Sequence, residues 1–464
     1  MSGYAEYREV NLPWLKAVPA HWEIRRNKNI FTEQKEIVGE RSADYTLLSL
    51  TLNGIIPRDM DGGGKFPESF DKYKIVKNGD MAFCLFDIDE TPRTVGLSGY
   101  NGMLTGAYTI MRVSNINARF IYYYYLALDN GKMLRPLYTG LRKTININTF
   151  QSTKVPVPPR EEQDQIVRFL DWKVSGINRL ISNYRHQIAL LDEMKQRRID
   201  ETVIKGMRKS TIVHNDDIRW DIDYPEHWQI QRIRESFTFR KGLSITKANL
   251  EETGMAVISY GQVHSKKNSG VALNGNLIRY VNESYLTTNQ SCLVEKGDFI
   301  FADTSEDVTG CGNCAYIDWD DTIFAGYHSI IAHPDGSINI KYLAYLFNSS
   351  TWRYQIRKKV NGVKVYSITQ KMLKDTFILI PPIDEQEEII RYLDEVYAKI
   401  DVTIKKMEAK IANLQDLRIC LIADTVTGKI DVRGIEIPEY EFVDEDTDAD
   451  NEDDGEEDTE EQED

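Results

Sequence analysis

The stretch PPREEQDQIVRFLD, residues 158–171, decides the fold, and the chain contains it twice. The second copy, PPIDEQEEIIRYLD, occupies residues 381–394. Corresponding residues lie 223 positions apart, so Glu162 matches Glu385 and Gln163 matches Gln386. A match of this length at one fixed offset indicates an internal duplication.

Each copy predicts the start of a long amphipathic helix. Proline is tolerated in the first helical turn because its missing N–H would have no partner there. The acidic residues that follow favour the positive end of the helix dipole, and Asp384 and Glu387 have the spacing of a capping box. Apolar residues then recur at a spacing of about 3.5, which is typical of a coiled coil. The pattern continues to about residues 205 and 425, which predicts two antiparallel helices, each roughly 60 Å long.

The remaining sequence predicts two similar domains, one before each helix. His21-Trp22 near the start is echoed by His227-Trp228, and we expect each histidine to lie beside a packing tryptophan. Residues 25–155 and 218–380 both read as short strands separated by turns. Residues 119–128 predict a short helix, with a counterpart at 340–347. Its four successive tyrosines are predicted to lie in the core, and stacking on nucleic-acid bases is the alternative.

Composition narrows the class of protein. A chain of 464 residues is too long for one compact core, and 41% apolar with 28% charged residues is ordinary for a soluble globular protein. The sequence has neither a membrane-length apolar run nor a signal-peptide pattern, so we expect a cytoplasmic protein without a membrane partner. The five cysteines argue against a disulfide framework. Cys311 and Cys314 have zinc-knuckle spacing, but two further ligands are not evident, so no metal site is predicted.

The net charge of −15 belongs to the C-terminus. Residues 439–464 contain 17 Asp or Glu and no Lys or Arg, which leaves 57 − (72 − 17) = +2 for residues 1–438. An acidic run of this kind is predicted to be disordered. One hypothesis is that it competes with DNA for basic loops; the alternative is a solubilising extension.

Catalytic motifs are missing from the sequence. We find no Asn/Asp-Pro-Pro-Tyr/Phe methyltransferase motif, glycine-rich cofactor loop or Walker A sequence. A single-chain methyltransferase–nuclease is therefore disfavoured, and a non-catalytic role is expected. Two similar domains separated by helices could read two DNA half-sites with an unread gap. The alternative is a non-DNA scaffold with two interaction domains on a coiled-coil strut, which the near-neutral body slightly favours.

The paired His-Trp starts, glycine-basic loops and Pro-Pro-x-x-Glu-Gln helix starts resemble the specificity subunit of a type I restriction–modification system. The resemblance covers the chain to about Val432. It implies two target-recognition domains, each reading one half of a bipartite site in double-stranded DNA, with the helices setting the gap. It also implies docking of two modification subunits that bring S-adenosylmethionine, and of restriction subunits that use ATP and Mg. The chain itself is expected to bind no cofactor.

The predicted fold class is α+β, with two mixed α/β target-recognition domains joined by two long antiparallel coiled-coil helices in a tandem pseudo-symmetric repeat. The predicted segments are the first recognition domain (1–155), the central spacer helix (156–209), the second recognition domain (210–378), the C-terminal spacer helix (379–437) and the disordered acidic tail (438–464).

Candidate site residues follow from the resemblance and from basic clusters. The resemblance places DNA-facing loops at Gly140, Arg142, Lys143 and Thr144, and at Gly362, Lys364 and Tyr366. Further DNA-binding candidates, with simple solvation as the alternative, are Arg58, Lys65, Arg93, Lys241, Lys266 and Lys267. Partner-docking and spacer positions on the helices are Glu162, Gln163, Leu170, Glu385, Gln386 and Leu393.

Overall fold

The computed structural model describes residues 3–52, 54–58, 67, 69–138, 143–215, 220–362 and 364–444. The chain forms two compact units: unit 1 comprises residues 1–186 and 407–464, and unit 2 comprises residues 187–406. The boundary between the units falls inside both long helices, so each helix contributes to both units. The predicted segments instead treated each helix as separate from the domains. The predicted disorder of the acidic tail concerns residues 445–464, which lie outside the described residues.

In the described residues up to the end of the first long helix, the elements are short strands and three α-helices, the third being that long helix. In chain order they are β1 (Tyr7–Leu12), β2 (Leu15–Pro19), β3 (Glu23–Arg26), β4 (Phe31–Gln34), β5 (Leu48–Thr51), β6 (Gly54–Pro57), β7 (Lys74–Val76), β8 (Asp80–Phe83), β9 (Val95–Leu97), β10 (Gly102–Leu104), β11 (Thr109–Val113), α1 (Ala118–Asn130), α2 (Ile147–Ser152), β12 (Lys154–Val157) and α3 (Arg160–Lys205).

Unit 1 is built on an antiparallel sheet with strand order β4-β11-β8-β9. Aromatic side chains cover this sheet, with Phe83 at ring-centroid distances of 5.1 Å from Tyr125 and 4.8 Å from Phe150. Helix α1 begins where the side chain of Asn117 accepts hydrogen bonds from the first free backbone N–H groups. The predicted helix over 119–128 is therefore confirmed. Its tyrosines 123–125 are buried in the core as expected, whereas Tyr122 is half-buried.

The second half of the chain repeats this plan with insertions. Its elements are β13 (Ile212–Asn215), β14 (Ile222–Pro225), β15 (Gln229–Arg232), β16 (Phe237–Lys241), β17 (Leu250–Glu251), β18 (Met255–Ile258), α4 (Tyr260–His264), β19 (Arg279–Val281), α5 (Tyr285–Thr288), β20 (Leu293–Val294), β21 (Phe299–Ala302), β22 (Thr304–Ser305), β23 (Cys314–Tyr316), β24 (Ile323–Ala325), β25 (Ser329–Pro334), α6 (Ile340–Asn348), α7 (Ser350–Arg357), β26 (Tyr366–Ser367), α8 (Gln370–Lys374), β27 (Phe377–Ile380) and α9 (Ile383–Val426).

Unit 2 contains an equivalent antiparallel sheet, ordered β16-β25-β21-β23, and an additional five-stranded sheet, ordered β17-β19-β18-β24-β20. Strands β18 and β24 of the second sheet run parallel. The β15–β27 pair leads into α9 as the β3–β12 pair leads into α3. The two domains thus share a frame and differ in what is inserted into it.

The two long helices are confirmed, with 46 residues in α3 and 44 in α9. The predicted capping box is wrong, because α9 begins at Ile383 and Asp384 lies inside its first turn. The Asp384 carboxylate accepts a hydrogen bond from Arg208 at 2.8 Å. The carbonyl of Pro382 instead accepts the first helical N–H groups, those of Glu385 and Gln386.

Each unit's core uses the start of one long helix and the end of the other. In unit 1, Leu170 of α3 and Val426 of α9 belong to the same cluster. The helices are antiparallel there, because Asn178 contacts Arg418 while Tyr184 lies under Lys410. In unit 2, residues 199–204 of α3 share a core with residues 389–393 of α9.

Helices that combine the length and the hydropathy needed to cross a membrane are absent from the described part of the chain.

Candidate nucleic-acid interface

The glutamate of the first helix start holds the beginning of unit 1 in place. Glu162, 5% exposed, accepts hydrogen bonds from the Tyr4 hydroxyl at 2.5 Å and the Trp22 indole N–H at 2.8 Å. Its other carboxylate oxygen lies 2.8 Å from His21 Nε2. Burial and the neighbouring carboxylate raise the pKa of the Tyr4 phenol, so Tyr4 remains a donor.

Unit 2 repeats this anchor with one change. Glu385 accepts from the Trp228 indole N–H at 3.0 Å and pairs with His227 Nε2 at 2.7 Å. In place of the Tyr4 hydroxyl, unit 2 has the guanidinium of Arg208. It lies 3.6 Å from Glu385 and is closer to Asp384. The prediction that each histidine lies beside a packing tryptophan is confirmed.

The glutamine that follows each glutamate joins the helix start to the short helix of the domain. The Gln163 side chain accepts from the backbone N–H of Asn117 at 2.8 Å and donates to the Pro158 carbonyl at 2.7 Å. Gln386 makes the same two contacts, with Asn339 at 2.9 Å and Pro381 at 2.7 Å.

These contacts explain why the Glu-Gln pair accompanies the proline pair. Glu162, Gln163, Leu170 and their counterparts Glu385, Gln386 and Leu393 are all buried. Within the described residues they act inside their own units. The sequence analysis missed the aspartates at the ends of both copies: Asp171 accepts from Tyr123 at 2.7 Å, and Asp394 accepts from Tyr345 at 2.6 Å. Their signal was their presence at the same 223-residue offset.

The predicted DNA-facing loop of unit 2 is held by a small two-stranded sheet of its own. Strand β26 pairs with β22, with Ser367 opposite Thr304, and the Ile368 N–H donates to the Asp303 carbonyl at 2.7 Å. Glycine is required at Gly362, since a Cβ there would lie 2.3 Å from the Val365 carbonyl oxygen. Lys364 is exposed and Tyr366 is half-buried.

A cleft beside this loop is lined with lysines. It is bordered by Lys241 at the end of β16, by His328, and by Lys371 of α8. Lys241, Lys364 and Lys371 are exposed and make no ion pair with any carboxylate in the described residues. Unpaired ammonium groups on one face are suited to bind a polyanion such as a nucleic-acid backbone. Of the sequence candidates, Lys241 lines this cleft, and Tyr366 precedes the lining residue Ser367 on β26.

The corresponding loop of unit 1 is charge-compensated where it is described. Gly140 and Arg142 lie outside the described residues. The Lys143 ammonium lies 2.9 Å from Glu90 and 3.8 Å from Asp89, and the Glu90 contact raises its pKa. Thr144 is exposed.

The other basic candidates lie in different settings. Arg58 is exposed, and Lys65 lies outside the described residues. The Arg93 guanidinium binds Asp129 at 3.2 Å and Asn130 at 2.8 Å with its side chain 14% exposed, so its contacts are internal. Lys266 and Lys267 are exposed just after α4.

The cysteine pair with zinc-knuckle spacing lies in the core. Cys311 and Cys314 are both buried, and burial raises the pKa of the Cys314 thiol to about 12. Such a thiol stays protonated at neutral pH and is a poor metal ligand. In the part of the chain that is described, groups of three or more His, Cys, Asp or Glu side chains suited to a metal ion are absent.

The chain consists of two modules, and in each a domain of strands and short helices leads into the same helix start. This arrangement defines a tandem-repeat protein. The sequence model of the type I restriction modification DNA specificity domain matches residues 70–188 and 225–413. The chain therefore belongs to this family. The two matches fall on the two repeats, one to each.

Individual relatives agree with the family match. The chain is 22% identical over 447 residues to the type I restriction enzyme MjaVIII specificity subunit of Methanocaldococcus jannaschii, covering 92% of this chain and 98% of that protein. It is 23% identical over 320 residues to the EcoKI specificity subunit of Escherichia coli K12, covering 65% and 64%. A chain in a solved structure that describes complex assembly and conformational transition of the type I R-M system is similar in fold, with a TM-score of 0.58 and 14% identity. The match covers 89% of this chain and 99% of that chain. That likeness supports the fold.

Proposed function

We propose that this chain is the DNA specificity subunit of a type I restriction–modification complex. The observation that carries the proposal is the duplicated anchor, in which Glu162 and Glu385 hold equivalent His-Trp pairs at the base of equivalent helices. Two copies of one frame carrying different insertions suit the reading of two different half-sites. The family match to both repeats supports the same function.

Each domain reads one half of a bipartite site in double-stranded DNA in this proposal. In unit 2 the reading face includes the lysine-lined cleft and the loop of Gly362, Lys364 and Tyr366. For unit 1 the sequence assigns this role to the loop of residues 140–144 and to Arg58 and Lys65. Arg93 is better suited to support this face than to touch DNA, because its guanidinium is already bound to Asp129.

The long helices set the gap between the half-sites and offer their exposed faces to two modification subunits. Those subunits bring S-adenosylmethionine and methylate adenine, and restriction subunits that use ATP and Mg join them for cleavage. This chain supplies recognition and no catalytic group. Seven residues added to each helix would lengthen it by about 10 Å, roughly three base pairs of duplex DNA. Such insertions should lengthen the gap or abolish assembly, and leave both half-sites intact.

The test is sequencing of adenine methylation in cells with and without this chain. A gapped motif that disappears on deletion supports the proposal, and exchange of residues 25–155 for those of a relative should change one half-site only. An unchanged methylation pattern would contradict it. In that case the scaffold alternative, with no salt-sensitive affinity for DNA, becomes the better account.

A further inference from the structure

The turn that joins the two sheets of unit 2 contains a residue in a strained backbone conformation. His328 lies between β24 and β25 with φ of +52°, in the left-handed region that L-residues rarely adopt. The Asp303 N–H donates to the His328 carbonyl at 3.0 Å and so holds the turn. Strain of this kind is kept at functional positions more often than elsewhere.

The imidazole of His328 is oriented by a carboxylate. Its Nδ1 lies 3.2 Å from Asp303 Oδ1 and 3.3 Å from the Thr304 hydroxyl, which itself donates to Asp303 Oδ1 at 2.9 Å. A carboxylate only accepts, so this contact requires the proton on Nδ1. In the neutral ring, Nε2 is then left as an acceptor, and it has no partner among the described residues. The side chain is 56% exposed.

The cleft around this nitrogen is lined by two ammonium groups and by the carboxylate of Asp303. His328 lines the same cleft as Lys241 and Lys371. Tyr260 lies beside it in an edge-on arrangement, at a ring-centroid distance of 5.4 Å. The ring is therefore fixed in a cleft whose ammonium groups can bind phosphates.

A nearby histidine shows the contrasting, structural arrangement. His264 Nε2 lies 2.8 Å from the Thr304 carbonyl, and its Nδ1 lies 3.2 Å from the Asn313 amide. Both of its ring nitrogens are used inside the unit. Of the two histidine rings in contact with Tyr260, only that of His328 keeps a nitrogen available among the described residues.

We propose that His328 is a specificity-determining residue, whose Nε2 accepts a hydrogen bond from the exocyclic amino group of an adenine or cytosine in the major groove. Those amino groups are the donors that the major groove presents. The lysines position the duplex, whereas His328 distinguishes the base pair. This inference rests on the proposed function and adds the chemical group that unit 2 reads.

The test uses the assembled complex with its modification subunits and a library of sites randomised in both half-sites. His328→Gly removes the imidazole and suits the positive φ, so the hydrogen-exchange protection of β24 and β25 should stay near that of the wild type. The variant should lose preference at one base pair of one half-site by roughly 5- to 150-fold, the effect of leaving one desolvated donor without an acceptor. Lys371→Ala is the matched control, and it should weaken all sites equally.

Base analogues test whether the exocyclic amino group is the group that His328 recognises. Replacing the recognised adenine by purine, or cytosine by 2-pyrimidinone, removes the amino group and should weaken the wild-type complex while leaving the His328→Gly complex unaffected. Unchanged preference in His328→Gly, or an equal loss at every site, would overturn the inference while the proposed function stands. A wild-type complex that methylates no bipartite motif would overturn both.

Discussion

Glu162 is the buried hydrogen-bond acceptor at the beginning of unit 1. A substitution that removes its acceptor oxygen should destabilise this region far more than one that keeps it. In Glu162→Ala the Trp22 indole, 1% exposed, and the Tyr4 hydroxyl, 6% exposed, both lose their acceptor. Each unsatisfied buried donor costs about 1–3 kcal/mol. The expected loss in the free energy of unfolding of this region is therefore about 2–6 kcal/mol.

Glu162→Gln is the matched control for this substitution. Both buried donors use the same oxygen, Oε1, which an amide can supply. The amide N–H₂ would face His21, which is 39% exposed and can present an acceptor nitrogen. We expect a change within about 1 kcal/mol. Glu385→Ala should fall between the two, because it leaves one buried indole, that of Trp228, without an acceptor.

Hydrogen–deuterium exchange of β2 and the first turns of α3 measures this local stability. It suits a chain with two compact units, for which one global unfolding midpoint is not well defined. The same experiment reports β14 and the start of α9 as an internal reference. If the protection of these amides were the same in Glu162→Ala and Glu162→Gln, to within about 0.5 kcal/mol, the argument that the lost acceptor causes the destabilisation would be refuted.

Three further predictions concern charge. Changing Lys241, Lys364 and Lys371 together to glutamine should reduce the salt slope of DNA binding by about 0.9 for each phosphate that is no longer neutralised, as measured by fluorescence anisotropy at several ionic strengths. Burial raises the pKa of Tyr123, Tyr125 and Tyr342 well above 10.0. Their contribution to the free energy of unfolding is complete below about pH 10. Above that pH it should fall by about 1.4 kcal/mol per pH unit for each tyrosine, because these phenols ionise only in the unfolded chain. Urea unfolding across this pH range measures the change. Deletion of residues 445–464 removes 14 acidic residues and should strengthen non-specific DNA binding at low salt, in a titration with unrelated duplex DNA.

Each of these experiments has its own control. Lys143→Gln should alter the salt slope less than the triple substitution, since Lys143 is already paired with Glu90; an equal effect would count against the lysine-lined face. Stability that stays constant up to about pH 12 would contradict the tyrosine argument. Equal low-salt affinities with and without residues 445–464 would leave the tail as a solubilising extension.

The sequence alone determined the repeat, both long helices and the buried role of the tyrosines. These features follow from local chemistry, because apolar periodicity and a proline pair act through neighbouring residues. The family also followed from the motifs that occur twice. Asp384 shows the limit of local patterns: its spacing suggested a cap, but the helix begins at Ile383 and its carboxylate binds Arg208.

Only the tertiary structure decided which charges are available. Arg93, Lys143 and Lys364 look alike in sequence, yet the first two have carboxylate partners and Lys364 has none among the described residues. The same holds for His264 and His328, which differ in how many ring nitrogens are used. The physical reason is that pairing and strain depend on residues distant in sequence, which strand pairing such as that of β22 with β26 brings together.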